Sequence, residues 1–597
     1  MFVKETKVKR SGRTYTYVQL VEGYRDEHGR VRHRVVANLG RKEELKASGQ
    51  LEKLAGAFAR LDPPLMGTRR EVGALLLAWY FLRELDVAGV VDRCLPRSER
   101  SELSVGEVVV ALVASRLCSP SPLYDIAGWA SGAAVRELLG IPPQLLNDDR
   151  LGRALERFAV YAESVRGMLA AAAIDRFGTD AGRLHVDLTT VRVAGAYEDS
   201  ALVLKGWGSD RRVARQVRTL QAATGDGVSL YLRPDPGNCS ELALVGQSLE
   251  RLAAFAKPGM LIVCDSALGQ PKPLCQIHRA GLRFVVPLKT STGFRERFLT
   301  DVGPGALRAI RHVAEREKRL APKQRTKYRG VLRDWDVEDP ETGEPRRFRV
   351  AYIHSSEEQA QVATARERAL VKAEHELTRM HNGLGGRDYK TETQVQRRLG
   401  QIIGTNIQGL ITVTVGQDDN DRPTISWQRN QHAITHAART DGLYALATNL
   451  PGRVTAGQLL RLYKEQEIVE RRHRDLKQTL KVRPIFLHND DRIYALISII
   501  GIALLIFGLL ETQLRNALHT DDQHDKRLAL LPEARLAKPT GANILAAFQG
   551  LDLTYTHRGI ELDPLTPTQR RILELLQIQP PWPQRGELEI TNCGKRG

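Results

Sequence analysis

The chain has 597 residues, 42% hydrophobic and 26% charged, an ordinary globular composition with length for several domains. Its 88 Lys and Arg outweigh 70 Asp and Glu to give a formal net charge of +18, which points to a polyanionic partner, nucleic acid foremost. The six cysteines show no CxxC spacing, which speaks for reduced thiols and against a zinc site or disulfide framework. The opening MFVKETKVKR lacks the apolar core of a signal peptide.

Residues 1–40 alternate with strand period, predicting strands over Phe2–Lys9, Thr14–Tyr24 and Arg32–Leu39 with a turn at Asp26–Gly29. Arg10, Arg13, Arg25, Arg30, Arg32 and Arg34 cluster there. Such a sheet either lies on DNA phosphates or carries a solvated basic face. Residues 42–175 have helical apolar spacing at Arg69–Glu84, Ser104–Leu117, Pro122–Leu139 and Asp148–Ala173, with Ser104 and Asp148 as N-cap candidates. A helix-turn-helix unit and a plain helical bundle both fit this pattern.

From residue 183 the period changes to two. In RLHVDLTTVRV, Leu184, Val186 and Leu188 face one side, and His185, Asp187 and Thr189 the other. Strands near Val217–Thr224 and Val228–Arg233 follow, then a helix over Cys239–Ala256 and a short apolar strand, Met260–Cys264, ending at Asp265. A helix near 270–280 and a strand at Leu282–Pro287 complete a β-β-β-α-β-α-β run, antiparallel at first and joined by crossovers later. Residues 291–440 interrupt it with a basic helical stretch at 305–320, a strand pair near 330–354, a charged helix over 356–382, and strands near 409–416 and 422–428. An apolar strand, Gly442–Ala447, then leads into a helix starting at a Thr455–Gln458 capping box and stopped by Arg483-Pro484.

On that helix Tyr463, Glu470 and Lys477 form one polar line beside His473 and Arg474, while Leu462, Val469 and Leu476 form an apolar one. Next, Ile493–Leu510 runs 18 residues without a charge. That meets the minimum for a membrane span, but Arg492 and Glu511 close it abruptly and the segment is solitary, so a helix buried in a large domain is the reading adopted. Residues 512–597 read as a helical tail with one amphipathic helix, Thr566–Gln577.

Three acids stand out: Asp187 in mid-strand, Asp265 at a strand end where ligand sites of α/β sheets lie, and Glu470 on the helix after the sheet. If they converge, their repulsion calls for hard cations, and two ions could activate an attacking oxygen and stabilise a leaving one. If they do not, Asp187 pairs with Arg183 or Arg192, Asp265 caps the next helix and Glu470 lies on a solvated surface.

The order of these acids on sheet and helix resembles the RNase H-like core of DDE transposases. Tyr463, Glu470 and Lys477 match three positions of the Tyr-x2-Arg-x3-Glu-x6-Lys signature of the "IS-four" group, and Gln466 stands where that signature has arginine. KVKRSGRTYTYVQLVEGYR, LHVDLTTV, CDSALGQPKPL and VERRHRDLKQTLKVRPIFLH are similar to the long single-chain bacterial subgroup. The resemblance implies an α/β fold: an RNase H-like mixed sheet with flanking helices, an α+β insertion, an N-terminal β sheet and a helical DNA-binding region. The corresponding domains are 1–45 (basic β), 46–175 (helical, end-binding), 176–290 with 441–515 (catalytic core), 291–440 (insertion) and 516–597 (tail).

It further implies that Asp187, Asp265 and Glu470 bind two Mg²⁺ or Mn²⁺ ions. Water would cut the transposon ends, and the freed 3′-hydroxyls would attack target DNA. Tyr463, Lys477, Arg474 and Gln466 would contact DNA phosphates, with Gln466 contributing no charge. Trp335 and Trp427 are candidates for stacking a flipped base, and a core role fits each as well. The implied partners are inverted-repeat ends, target DNA and a second copy of the chain, with no membrane. The implied location is the bacterial cytoplasm, at the nucleoid. A catalytically idle DNA-binding descendant of a transposase is the alternative.

Overall fold

The computed structural model of the protein describes residues 2–10, 13–25, 31–47, 67–95, 101–208, 212–240, 259–419, 422–521 and 525–585. The helix expected over Cys239–Ala256, the turn at Asp26–Gly29 and Cys593 fall largely or wholly outside these residues. The described chain divides into two compact units: residues 1–71 with 551–564 and 580–597, and residues 72–550 with 565–579.

The smaller unit holds an antiparallel sheet of Phe2–Arg10, Arg13–Arg25 and Val31–Arg41, where the alternation places it. Val18 and Val21 are buried, while Lys4, Lys7, Lys9 and Arg34 are exposed. A second small sheet pairs Arg69–Glu71 with Asp552–Thr556, and that strand with Gly559–Leu562. The C-terminal region is therefore not a purely helical tail. Its apolar residues alternate over runs too short to announce strands against the helical segments beside them.

The larger unit is built on a mixed sheet with ten strands among the described residues. Its central order is Ser229–Pro236, Val213–Thr224, Arg183–Arg192, Leu261–Cys264, Arg283–Pro287. The first two pairings are antiparallel and the last two parallel. Beyond Arg283–Pro287 lie Leu443–Thr448 and the hairpin Tyr328–Glu338/Pro345–Ser355. Thus part of the 291–440 segment joins the main sheet. Its remainder, helices Ser356–Asn382 and Glu392–Ile402 with the hairpin Ile411–Gln417/Pro423–Arg429, has its own core around Leu377, Met380 and Val395. The basic helix expected at 305–320 is absent: a strand, Arg308–Ile310, and short 3-10 turns stand there. Gly303, Pro304 and Gly305 precede it, residues that do not sustain a helix.

Helices Leu75–Glu84, Val87–Cys94, Val105–Cys118 and Asp148–Phe177 fill 72–177. Ser104 caps its helix in a capping box with Glu107. The Asp148 helix is capped one residue earlier than expected: Asn147 accepts from the Arg150 N–H, and Asp148 occupies the first turn, where its charge meets the positive end of the dipole. The stretch Pro122–Leu139 breaks into short helical pieces around Gly132.

The uncharged segment lies within a helix, Asp490–Thr520. Its most apolar window is 94% buried, packed on Asp148–Phe177, Val105–Cys118 and Ser229–Pro236. Helix and sheet meet closely at Gly508, where a Cβ would stand 3.0 Å from the Gly227 carbonyl and from Val228 Cα.

Candidate active site

Strand Arg183–Arg192 runs parallel to Leu261–Cys264 with Val186 opposite Cys264. One residue beyond that pair stand Asp187, still in its strand, and Asp265, which leaves its strand to cap the next turn. His185 and Val263 are also opposite one another. His185 bonds Gln466, and Val263 packs with Leu459 and Leu460. By alternation both aspartates face the helices carrying Tyr463 and Glu470.

Those helices are not one continuous rod. Ala456–Lys464 ends at Glu465, Glu467–Arg474 begins after Gln466, and Asp475–Thr479 forms a wider π turn. The sequence expectation of a straight helix is corrected at both joints, so the seven-residue spacing does not hold Tyr463, Glu470 and Lys477 in one line. The apolar side survives: Val469 and Leu476 are fully buried, and Leu462 packs on the core. The cause lies in Gln466 and Arg472. Both are buried and need fixed partners, which an ideal helix would not deliver to them.

Four polar rungs join this segment to the Asp187 strand among the described residues, one of them the Arg183–Glu465 ion pair at 2.5 Å. Gln466 Nε2 donates to the Val186 carbonyl at 3.0 Å, and its Oε1 accepts from His185 Nδ1 at 3.2 Å. His473 Nδ1 lies 3.5 Å from Asp187 Oδ2. Lys477 Nζ donates to Thr189 Oγ1 at 2.5 Å. Every polar residue of the strand face His185–Asp187–Thr189 thus meets a side chain of the 466–477 segment. Burial keeps both imidazoles neutral, with pKa values lowered to about 4 for His185 and about 3 for His473, where the Lys477 charge adds to the effect. Burial, reinforced by Arg483, also lowers the Lys477 pKa, while Asp187 opposes this.

Each aspartate is held by its own backbone. Asp187 Oδ1 accepts from the Leu188 N–H at 2.8 Å. Asp265 Oδ1 accepts from the Ala267 N–H at 3.0 Å and caps the 3-10 turn Ser266–Leu268. Tyr463 links the acids electrostatically: burial first, then the charges of Glu358, Asp265 and Glu470, push its hydroxyl up to about 12. Glu470 and Arg474 are exposed. Gln466, expected at DNA phosphates, is 7% exposed and turned inward. Trp335 is buried against Phe348 under Arg297, and Trp427 packs on the core of the 356–440 segment.

Among the described residues no three His, Cys, Asp or Glu side chains converge closely enough to form a ready-made metal cage. The donors at hand are carboxylate oxygens from two adjacent strands and a nearby helix, which suit a hard cation. Mg²⁺ takes one or two carboxylates, keeps waters and uses substrate phosphates instead of an all-protein cage.

Two features went unread in the sequence. His473 reads from the sequence only as a neighbour of the polar line, because its partner Asp187 lies on a strand far earlier in the chain. Arg472, fully buried, donates to the Gly227 carbonyl at 2.6 Å, to Asp475 at 2.9 Å and to Glu511 at 3.0 Å. The available signal was Glu511 itself, a charge abutting a buried apolar helix and so in need of a partner.

Residues 179–506, more than half of the chain, match a family model described as the transposase DDE domain, so the chain belongs to the DDE transposases and is a DNA transposase, a mobile-element protein that binds transposon ends. Residues 3–63 match a model described as the N-terminal domain of IS1634 family transposases, and residues 68–170 match a domain of unknown function. No curated protein matches the chain.

Proposed function

We propose that Asp187, Asp265 and Glu470 form one site for two Mg²⁺ or Mn²⁺ ions, at which the protein cleaves transposon ends and joins their 3′-hydroxyls to target DNA. The observation that carries this reading is the register: Val186 lies opposite Cys264, the residues that immediately precede Asp187 and Asp265, which supports the two acids meeting beside the helices of Tyr463 and Glu470. The central strand order, antiparallel then parallel, supports an RNase H-like core.

The bound ions would supply charge neutralisation at the scissile phosphate and a more acidic attacking hydroxyl. The chain's own groups position and recognise. The Leu188 and Ala267 N–H groups orient the two aspartates. The exposed Arg474 guanidinium, the Lys477 ammonium and the Tyr463 hydroxyl donate to DNA phosphates. A cleft of about 800 Å³ lined by Arg311, His312, Lys327, Tyr328 and Arg329 extends the cationic surface, and Lys464, the residue after Tyr463, sits over the Tyr328 ring. Residues 46–175 would grip the transposon end, and two copies would hold two ends at the nucleoid.

Cleavage of terminal-inverted-repeat DNA with Mg²⁺ tests this. Wild type should nick the end, and Glu470→Gln should bind it without nicking. Equal nicking by both would remove Glu470 from the site. Binding without nicking by the wild type would favour the idle descendant.

A further inference from the structure

We propose that Gln466 is a positioning residue that fixes the reach between the Glu470 helix and the Asp187 strand, and so sets the metal affinity of the site. This rests on the metal-site reading above. Gln466 occupies the joint between two helices, and its backbone carbonyl accepts from the Glu470 N–H at 3.4 Å. Glu470 is therefore one helical turn away, about 6 Å along the axis. At the other end of its side chain, Nε2 holds the carbonyl of Val186, the residue immediately before Asp187.

One side chain thus spans from the helix bearing one carboxylate to the backbone bearing another. The other rungs, from Glu465, His473 and Lys477, end on side chains with rotamer freedom. Among the described residues, only the Gln466 rung ends on the strand's main chain. The second bond, from His185 Nδ1, fixes which way the amide points and stops it from swinging away. His185 is fully buried, so without this acceptor its N–H would be left unpaired. An arginine here would bring five donors and no acceptor, and could not take the His185 proton bond. Glutamine offers one donor and one acceptor in the arrangement this joint uses.

The test reads Mn²⁺ binding by electron paramagnetic resonance on the full-length protein with inverted-repeat DNA, and the Mg²⁺ half-saturation of cleavage beside it. Gln466→Met keeps length and loses both bonds. It should weaken Mn²⁺ binding about tenfold or more, the usual scale for groups that orient metal ligands, and saturating metal should recover cleavage. DNA-end affinity should stay within about twofold, because the amide is buried. Wild-type Mn²⁺ affinity in the folded variant would overturn the proposal, as would unchanged metal binding with weakened DNA binding. If Gln466→Met does not fold by circular dichroism, Gln466→Asn, a methylene too short for both partners, should show the same weakening; wild-type affinity there would overturn it. Asp187→Asn is the reference. If it binds Mn²⁺ as wild type does, the metal-site reading itself fails, and the Gln466 proposal with it. If it loses Mn²⁺ while the Gln466 variants do not, only the positioning role fails.

Discussion

Glu511→Gln removes the anion that holds the back of the Glu470 helix. Glu511 is 1% exposed and meets three guanidiniums: Arg515 at 2.5 Å, Arg472 at 3.0 Å and Arg471 at 3.7 Å. Arg472 is fully buried and would keep only the Asp475 carboxylate and the Gly227 carbonyl. Breaking a buried pair costs about 3–5 kcal/mol, and the surviving Asp475 partner places this case near 3. At about 2 °C per kcal/mol for a large domain, the melting temperature should fall by about 6 °C. Burial opposes ionisation of Glu511, but the Arg472 and Arg515 charges outweigh it and hold the pKa below the ordinary carboxylate value. A depressed acid stabilises above its unfolded pKa and loses that contribution as pH falls through its folded one. The stability gap between wild type and variant should therefore be full at neutral pH and close in acid. Thermal melts at a series of pH values read both. A melting shift under 1 °C at pH 7, or a gap that widens in acid, would refute the reasoning.

Other outcomes follow from the same geometry. Gly508→Val should destabilise by about 1–3 kcal/mol through overpacking, since its Cβ would press on the Gly227 carbonyl that Arg472 holds; chemical denaturation measures it. Asn147→Ala should cost about 1 kcal/mol through loss of the cap on Asp148–Phe177, read in the same way. Arg329→Ala should lower the salt slope of DNA binding by about one without changing Mn²⁺ affinity, as removal of one phosphate contact does.

The reach of the sequence differed from place to place for physical reasons. Alternation in RLHVDLTTV located the Asp187 strand and its polar face, because period two survives any tertiary context. The apolar run at 493–510 defined a helix but not its surroundings, since lipid and a protein core select the same residues. The joint at Gln466 was illegible. Every residue from 455 to 479 tolerates a helix, and the break is imposed by partners on a strand nearly 300 positions earlier. The main sheet likewise drew in Tyr328–Glu338 and Pro345–Ser355, a pairing between distant segments that no local pattern encodes.

The central claim is that Asp187, Asp265 and Glu470 share metal. Replacing Mg²⁺ with Fe²⁺ and adding ascorbate and peroxide makes a bound ion cut the nearby polypeptide, and mass spectrometry locates the cuts. The account predicts backbone cuts clustered at 185–189, 263–267 and 468–472 together, all abolished by Asp187→Asn. Cuts at one of these segments alone, or cuts that persist in that variant, would contradict it.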